Sequence, residues 1–243
     1  MSTKSPNTSF GSRAWRLIKR IFLFLFVFHL TYVIVLRWVD PPITITQLVN
    51  WVQGNGLQRD YVDRSEISAQ AMLAVMASED QNFYKHAGFD WEQIQAAIKH
   101  NERRPKKIRG GSTISQQTAK NVFLWQGRSY VRKGLEFYFT FLIELFWPKE
   151  RILEVYLNVI EMGRGIFGVE AAARHYFNKP ASRLNRSEAS MIAAILPSPK
   201  RYKIKPLSGY VAGRSRFIQV QMSYISPVPE VQKLIRSGAN GTY

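Results

Sequence analysis

The apolar positions of the chain fall first into one unbroken run and then into a series of helical stripes. Residues Ile21 to Leu36 read IFLFLFVFHLTYVIVL, without a charge and bracketed by Arg20 and Arg37. As a helix this run spans ~24 Å, a little short of a ~30 Å hydrocarbon core. Snorkelling of the two arginines and extension through Trp38 and Val39 close the gap. Tyr32 and Trp38 suit the outer interface. A cleaved signal peptide fits less well, because Arg37, Trp38, Val39 and Asp40 offer no small-residue cleavage site. A buried core helix would show a polar face, and this run has none. The pattern therefore predicts an uncleaved transmembrane anchor over residues 21–39. Lys4, Arg13, Arg16, Lys19 and Arg20 precede it with no acidic residue among them. The positive-inside rule then keeps the N-terminus in the cytoplasm and places residues 40–243 outside.

After the anchor, strand signals are few and helix signals many. Residues 1–20 read as a basic cytoplasmic tail, and Pro41-Pro42 ends the membrane helix. Residues 40–64 read as a stalk or linker, and 65–243 as one domain. Ser65 to Ser78 is apolar on most sides, which suits a buried helix. Asp90 can cap a helix with Gln93, along a stripe of Trp91, Ile94, Ala97 and Ile98. Ser112 can cap another through Val122. Ser129 to Trp147 is long and aromatic-rich. Pro148 suits the first position of a helix with the stripe Ile152, Val155, Tyr156 and Val159. Val169 to Phe177 is alanine-rich, and Asn185 with Glu188 opens a helix that stops at Pro197. Ser208 to Ile225 and Pro229 to Ser237 complete the set, the last stopped by Gly238. The expected fold is all-α or nearly so.

Composition narrows the chemistry. The 243 residues carry 34 Lys+Arg against 17 Asp+Glu, a formal net charge of +17, and no cysteine. The missing cysteine excludes a disulfide scaffold, a thiolate metal site and a cysteine nucleophile. The charge calls for an anionic partner. With residues 40–243 outside the cell, nucleic acid is excluded, and lipid headgroups or a lipid-linked phosphate remain.

Four stretches carry candidate chemistry. Glu79-Asp80 closes a long apolar helix and leads to Phe83, His86 and Gly88. Burial and the negative pole of the helix would both raise the pKa of Glu79 and make it a better proton acceptor. The alternative is a pair of exposed acids at a turn. Gly110-Gly111-Ser112-Thr113-Ile114-Ser115-Gln116-Gln117, with Lys120, places backbone N–H groups at a helix start, where phosphate can bind. A Gly-Gly-Ser start alone is often only a turn. Arg132, Lys133 and Glu136 share one helix face in apolar surroundings, as a diphosphate clamp or as a plain ion pair. Lys149 to Gly168 reads as structural, with Asn158 as a helix C-cap and glycines for positive φ.

In this order the stretches resemble the family 51 glycosyltransferases, the peptidoglycan glycosyltransferases. Glu79-Asp80-x-x-Phe83-x-x-His86-x-Gly88 resembles the first family motif. GGSTISQQ with Lys120 resembles the second, with Ser115 where threonine is usual. Arg132-Lys133-x-x-Glu136 resembles the third, and Ile152-Leu153-Glu154-x-Tyr156-Leu157-Asn158 the fourth. Glu188-Ala189-Ser190 through Pro197-Ser198-Pro199 resembles the fifth. The likeness covers roughly Ile67 to Tyr202. No Ser-x-x-Lys or Lys-Thr-Gly of a penicillin-binding domain occurs, so a monofunctional member is expected.

The resemblance implies a lysozyme-like, mostly helical domain with a small membrane-facing jaw, at the bacterial inner membrane. It implies that Glu79 is the general base and Glu136 a second essential acid. Lys120, Arg128, Arg132 and Lys133 would bind diphosphate. Ser112, Gln116 and Gln117 would line the sugar and phosphate cleft. Asp80, Phe83, His86, Gly110, Thr113 and Asn158 would be architecture around it. The implied substrates are lipid II and the lipid-linked glycan, with cell-division or elongation proteins as candidate partners. A divalent cation such as Mg2+ would accompany the diphosphate, with no ligand set readable in the sequence and no organic cofactor. A lytic enzyme of the same fold class is one rival, though it needs no diphosphate clamp. A scaffold that has lost activity is the other, though the acid and the clamp are intact.

Overall fold

A computed structural model of the chain describes residues 10–105, 110–127 and 129–236. Arg128, Ser237, Gly238 and the first nine residues of the tail lie outside these. The chain divides into two units, Met1–Val39 and Asp40–Tyr243.

The first unit is helix α1, Phe10–Val35. Its 26 residues reach ~39 Å at 1.5 Å per residue, and its apolar part has a mean hydropathy of 2.0. Length and composition are sufficient to cross a membrane. The helix begins before the apolar run and carries Arg13, Arg16, Lys19 and Arg20 on its first turns.

The second unit is mostly helical. Its helices are α2 (Ile45–Val52), α3 (Ala69–Glu79), α4 (Trp91–Arg103), α5 (Ile114–Phe123), α6 (Tyr130–Phe146), α7 (Lys149–Val159), α8 (Val169–Phe177), α9 (Arg186–Ile195), α10 (Gly209–Ile225) and α11 (Pro229–Arg236). Helix α3 is the hub: Ala71 to Ala77 are all buried, and it packs on α9, α10 and α11. Helix α5 packs on α6 and α7. Tyr156, Phe83 and Phe167 are the largest fully buried side chains.

Polar side chains set the helix starts. Ser68 accepts from the Ala71 N–H at 3.1 Å, Asp90 from the Gln93 N–H at 2.9 Å, and Asn185 from the Glu188 N–H at 3.0 Å. Thr113, not Ser112, caps α5: its Oγ1 accepts from the Gln116 N–H at 3.2 Å, and Gln116 Oε1 accepts from the Thr113 N–H at 3.0 Å. Pro148 sits one position before α7 rather than inside it.

Two expectations are corrected. Residues 40–64 are not a free stalk. They carry α2 and β1 (Gln58–Arg59), and β1 pairs parallel with β3 (Ile166–Phe167), which pairs antiparallel with β2 (Glu161–Gly163). Buried Arg151 also holds Asp40 at 3.0 Å and Glu154 at 3.0 Å. Asn158 is not a C-cap. It lies inside α7 and clasps the Val62 backbone, accepting from its N–H at 3.1 Å and donating to its carbonyl at 3.0 Å. The chain from 58 to 62 thus finds its hydrogen-bond partners on the rest of the unit, which a linker would leave to water.

Candidate active site

Helix α3 delivers Glu79 as its last residue, so a run of buried apolar turns ends in a carboxylate. Glu79 is part-buried and lines a cleft of about 820 Å³ with Gln81, Ser112, Gln117, Arg214 and Phe217. Gln117, from the first turn of α5, donates from Nε2 to Glu79 Oε2 at 2.9 Å. The fully buried Tyr156 hydroxyl donates to the other end of that amide, Gln117 Oε1, at 3.3 Å. The phenol therefore fixes which end of Gln117 faces the acid. Burial raises the pKa of Glu79 above its ordinary value of 4.5, and Asp80 adds to this. The Gln117 hydrogen bond, the Arg214 charge and the Ser78 hydroxyl oppose it. A carboxylate so placed can accept a proton from a hydroxyl group in the cleft.

Asp80 points the other way and is structural. It is 1% exposed and accepts from His86 Nε2 at 3.0 Å and from the Ile114 N–H at 3.0 Å. The carboxylate thus joins the end of α3 to the first turn of α5, where the helix dipole favours a negative charge. His86 must carry its proton on Nε2 to donate to this acid. Gly88 adopts φ +86, and a Cβ there would press on Thr140 and Glu144 of α6 at about 3 Å. Thr113 Oγ1 donates to the Gly88 carbonyl at 2.6 Å. Ser115 donates to Glu144, which also accepts from Lys149 at 2.7 Å, and Lys149 covers the buried Phe83 ring at 4.5 Å. Serine therefore keeps the hydroxyl contact at this position.

The second half of the site lies on α6. Glu136 is 3% exposed, although three of its four i±3 and i±4 neighbours on that face are polar or charged groups. It accepts from Arg132 Nη1 at 3.0 Å and from Lys133 Nζ. Lys120, on α5, reaches the same cluster. Desolvation lowers its pKa, Arg132 and Lys133 lower it further, and Glu136 and Glu79 raise it. Lys120 thus senses both carboxylates, and a desolvated cation beside two others is a strong site for a multiply charged anion.

The structure brings Glu79, Ser112, Gln117 and Gly110 to one cleft, and Lys120, Arg132, Lys133 and Glu136 to one cluster beside it. Gln116 Oε1 closes the α5 cap, accepting from the Thr113 N–H at 3.0 Å, and the residue is 5% exposed. Asn158 holds Val62 and does not line the cleft. Arg128 lies outside the described residues. Arg214 was missed. It sits on α10, beyond the stretch that carries the resemblance, and donates to the Ser78 carbonyl at 3.3 Å while lying over the Phe217 ring. No local pattern in α10 separates Arg214 from its neighbour Arg216. Only the packing of α10 on α3 does.

A divalent ion does not fit these residues as protein ligands. Among the described residues no group of three His, Asp or Glu side chains could hold one, and both Glu136 oxygens accept from cations.

A mostly helical domain in which a part-buried acid at a cleft adjoins a cluster of cations suits an enzyme that pairs a proton acceptor with an anion site. Comparison with known proteins agrees. The family model described as Transglycosylase matches residues 46–223, and the chain belongs to that family. It is 50% identical over 218 residues to the biosynthetic peptidoglycan transglycosylases of Yersinia pseudotuberculosis serotype O:1b (strain IP 31758) and Yersinia pestis (strain Pestoides F), covering 87% of this chain and 90% of each relative.

Proposed function

We propose that the chain polymerises peptidoglycan glycan strands from lipid II at the outer face of the bacterial cytoplasmic membrane. One observation carries the reading: Glu79 stands at the cleft, held by Gln117 of α5 at 2.9 Å, and the same helix carries Lys120 toward the Arg132–Lys133–Glu136 cluster on α6. An acid for the attacking hydroxyl and cations for a departing diphosphate are the two halves of such a transfer.

In this reaction the 4-hydroxyl of the GlcNAc of lipid II attacks the anomeric carbon of the growing, lipid-linked chain. Glu79 takes the hydroxyl proton. The bond to undecaprenyl diphosphate breaks, and its electron pair leaves with the diphosphate. A β-1,4 bond forms with inversion. Lys120, Arg132 and Lys133 stabilise the charge that develops on the leaving group, joined by Arg128. Glu136 holds Arg132 and Lys133 in register. Gln117 and Tyr156 orient the Glu79 carboxylate, and Ser112 offers its hydroxyl to the sugars. Asp80 and His86 fix the frame between α3 and α5. The diphosphate would bring any divalent cation with it, since the described residues would not ligate one. Helix α1 anchors the protein, with the basic end of α1 in the cytoplasm and residues 40–243 on the periplasmic side.

The test is incubation of the purified, detergent-solubilised chain with lipid II. The expected result is a glycan ladder that lysozyme digests, with release of undecaprenyl diphosphate. Shortening of preformed glycan without growth from lipid II would favour a lytic enzyme instead.

A further inference from the structure

Helix α2 is built inside out. Its polar residues Thr46, Gln47 and Asn50 are buried, while Ile45, Leu48, Val49 and Val52 are 42–75% exposed along one face. The spacing of those four is one helical stripe, and Trp51 beside it is 60% exposed. The inward polar face fastens the helix through Thr46, Asn50 and the Gln47 carbonyl oxygen, while Gln47 Nε2 is buried without a partner among the described residues. Gln126 Nε2 donates to Thr46 Oγ1 at 2.9 Å, and Lys200 Nζ donates to Asn50 Oδ1 at 2.9 Å. Arg59 donates to Gln47 Oε1 at 3.4 Å. Thr44 and Gln47 close a capping box over the first turn, so these two N–H groups do not depend on water. A helix that hides its polar side and shows its apolar side is suited to a solvent that is not water.

We propose that α2 lies flat in the outer membrane–water interface, with Ile45, Leu48, Val49 and Val52 against acyl chains and Trp51 at headgroup level. The reading of α1 as a membrane anchor is its premise. Only residues 40–44 lie between the two units' boundary and α2, a tether of at most ~18 Å at full extension. The interfacial zone is therefore within reach of the chain itself. An aromatic residue flanking an apolar stripe is the usual composition of such a helix. A bilayer-facing α2 adds a second attachment point and limits how far the cleft-bearing unit can tilt from the surface that holds its lipid-linked substrate.

The absence of cysteine makes the test direct. Full-length V49C and V52C are each labelled with an environment-sensitive fluorophore and reconstituted in vesicles of phosphatidylethanolamine and phosphatidylglycerol. F26C, within α1, and S182C, on an exposed turn, are labelled in the same way. Each is exposed to a lipid-borne spin-label quencher and, separately, to aqueous iodide. The expected result is at least twofold quenching of positions 49, 52 and 26 by the lipid quencher, with iodide quenching only position 182. Iodide quenching of 49 and 52, with 26 still lipid-quenched, would overturn the proposal and leave the anchor intact. Iodide quenching of 26 would overturn the anchor reading itself. Protection of 49 and 52 from both quenchers would mean that protein, such as a second copy, covers α2, and would also overturn the proposal.

Discussion

Removing the carboxylate of Glu136 should separate what the α6 cluster does for folding from what it does for the reaction. The side chains of Glu136 and Arg132 are 5% and 11% exposed, whereas Lys133 is 52% exposed. Glu136→Met strands the Arg132 guanidinium, whose buried Nε already has no hydrogen-bond partner among the described residues. It also strips Lys120 of the counter-charge that best holds its proton. Breaking a buried pair costs ~3–5 kcal/mol, and the exposure of Lys133 argues for the lower end. For a domain of this size ~3 kcal/mol lowers Tm by about 6–12 °C. Arg132→Met together with Glu136→Met removes both charges and the orphaned Nε. Stability should then return to within ~1 kcal/mol of the parent, or about 2–4 °C. Activity should not return, because a leaving-group cation is missing; a loss of ~100-fold or more is expected from one transition-state contact. The assays are thermal unfolding of the solubilised chain and the initial rate of lipid II consumption. A double variant that regains both stability and rate would refute the clamp and leave a structural ion pair. A single variant as stable as the parent would refute the burial argument.

The Arg214 charge lowers the proton affinity of Glu79, so Arg214→Met should move the acid limb of the pH–rate profile to higher pH, because the base works only when ionised; an unmoved limb would remove Arg214 from the site. The folded-state pKa of Glu79 is raised, so the stability linked to its proton is present below the unfolded value and is lost as pH rises through the folded one. Glu79→Gln should accordingly raise Tm at pH 8 and leave it nearly unchanged at pH 4, as differential scanning of both proteins would check. Gly165 has φ +68, and a Cβ there would collide with the Asn55 carbonyl. Gly165→Ala should cost more than ~1 kcal/mol and loosen the β1–β3 pairing, read as faster amide exchange at Gln58, whose N–H donates to the Gly165 carbonyl at 2.8 Å.

Helices with a capped start and one apolar stripe were legible in the sequence. Val169–Phe177 has the bounds that its pattern predicts, and Asp90 and Asn185 cap the helices expected of them. The α5 start was misplaced by one residue because Ser112 and Thr113 both carry a capping hydroxyl. Only the reciprocal bond with Gln116 chooses between them. The small sheet was illegible, since strands of two or three residues show no alternation. Helix α2 was hidden for a different reason: its apolar face points outward, so its stripe gives no hint of packing against the core. Glu79 and the cations were legible as clusters within short stretches. Arg214 and the Tyr156–Gln117 bond were not, because each depends on the meeting of distant helices.

The central claim is that Glu79 accepts the proton of the attacking hydroxyl. It is tested most directly by a single-turnover reaction of lipid II with the wild-type chain and with Glu79→Gln, beside a measurement of how tightly each binds the substrate. Glu79→Gln should bind lipid II within a few-fold of the wild type and make no lysozyme-sensitive glycan. A Glu79→Gln protein that polymerises lipid II at a rate near that of the wild type would contradict it.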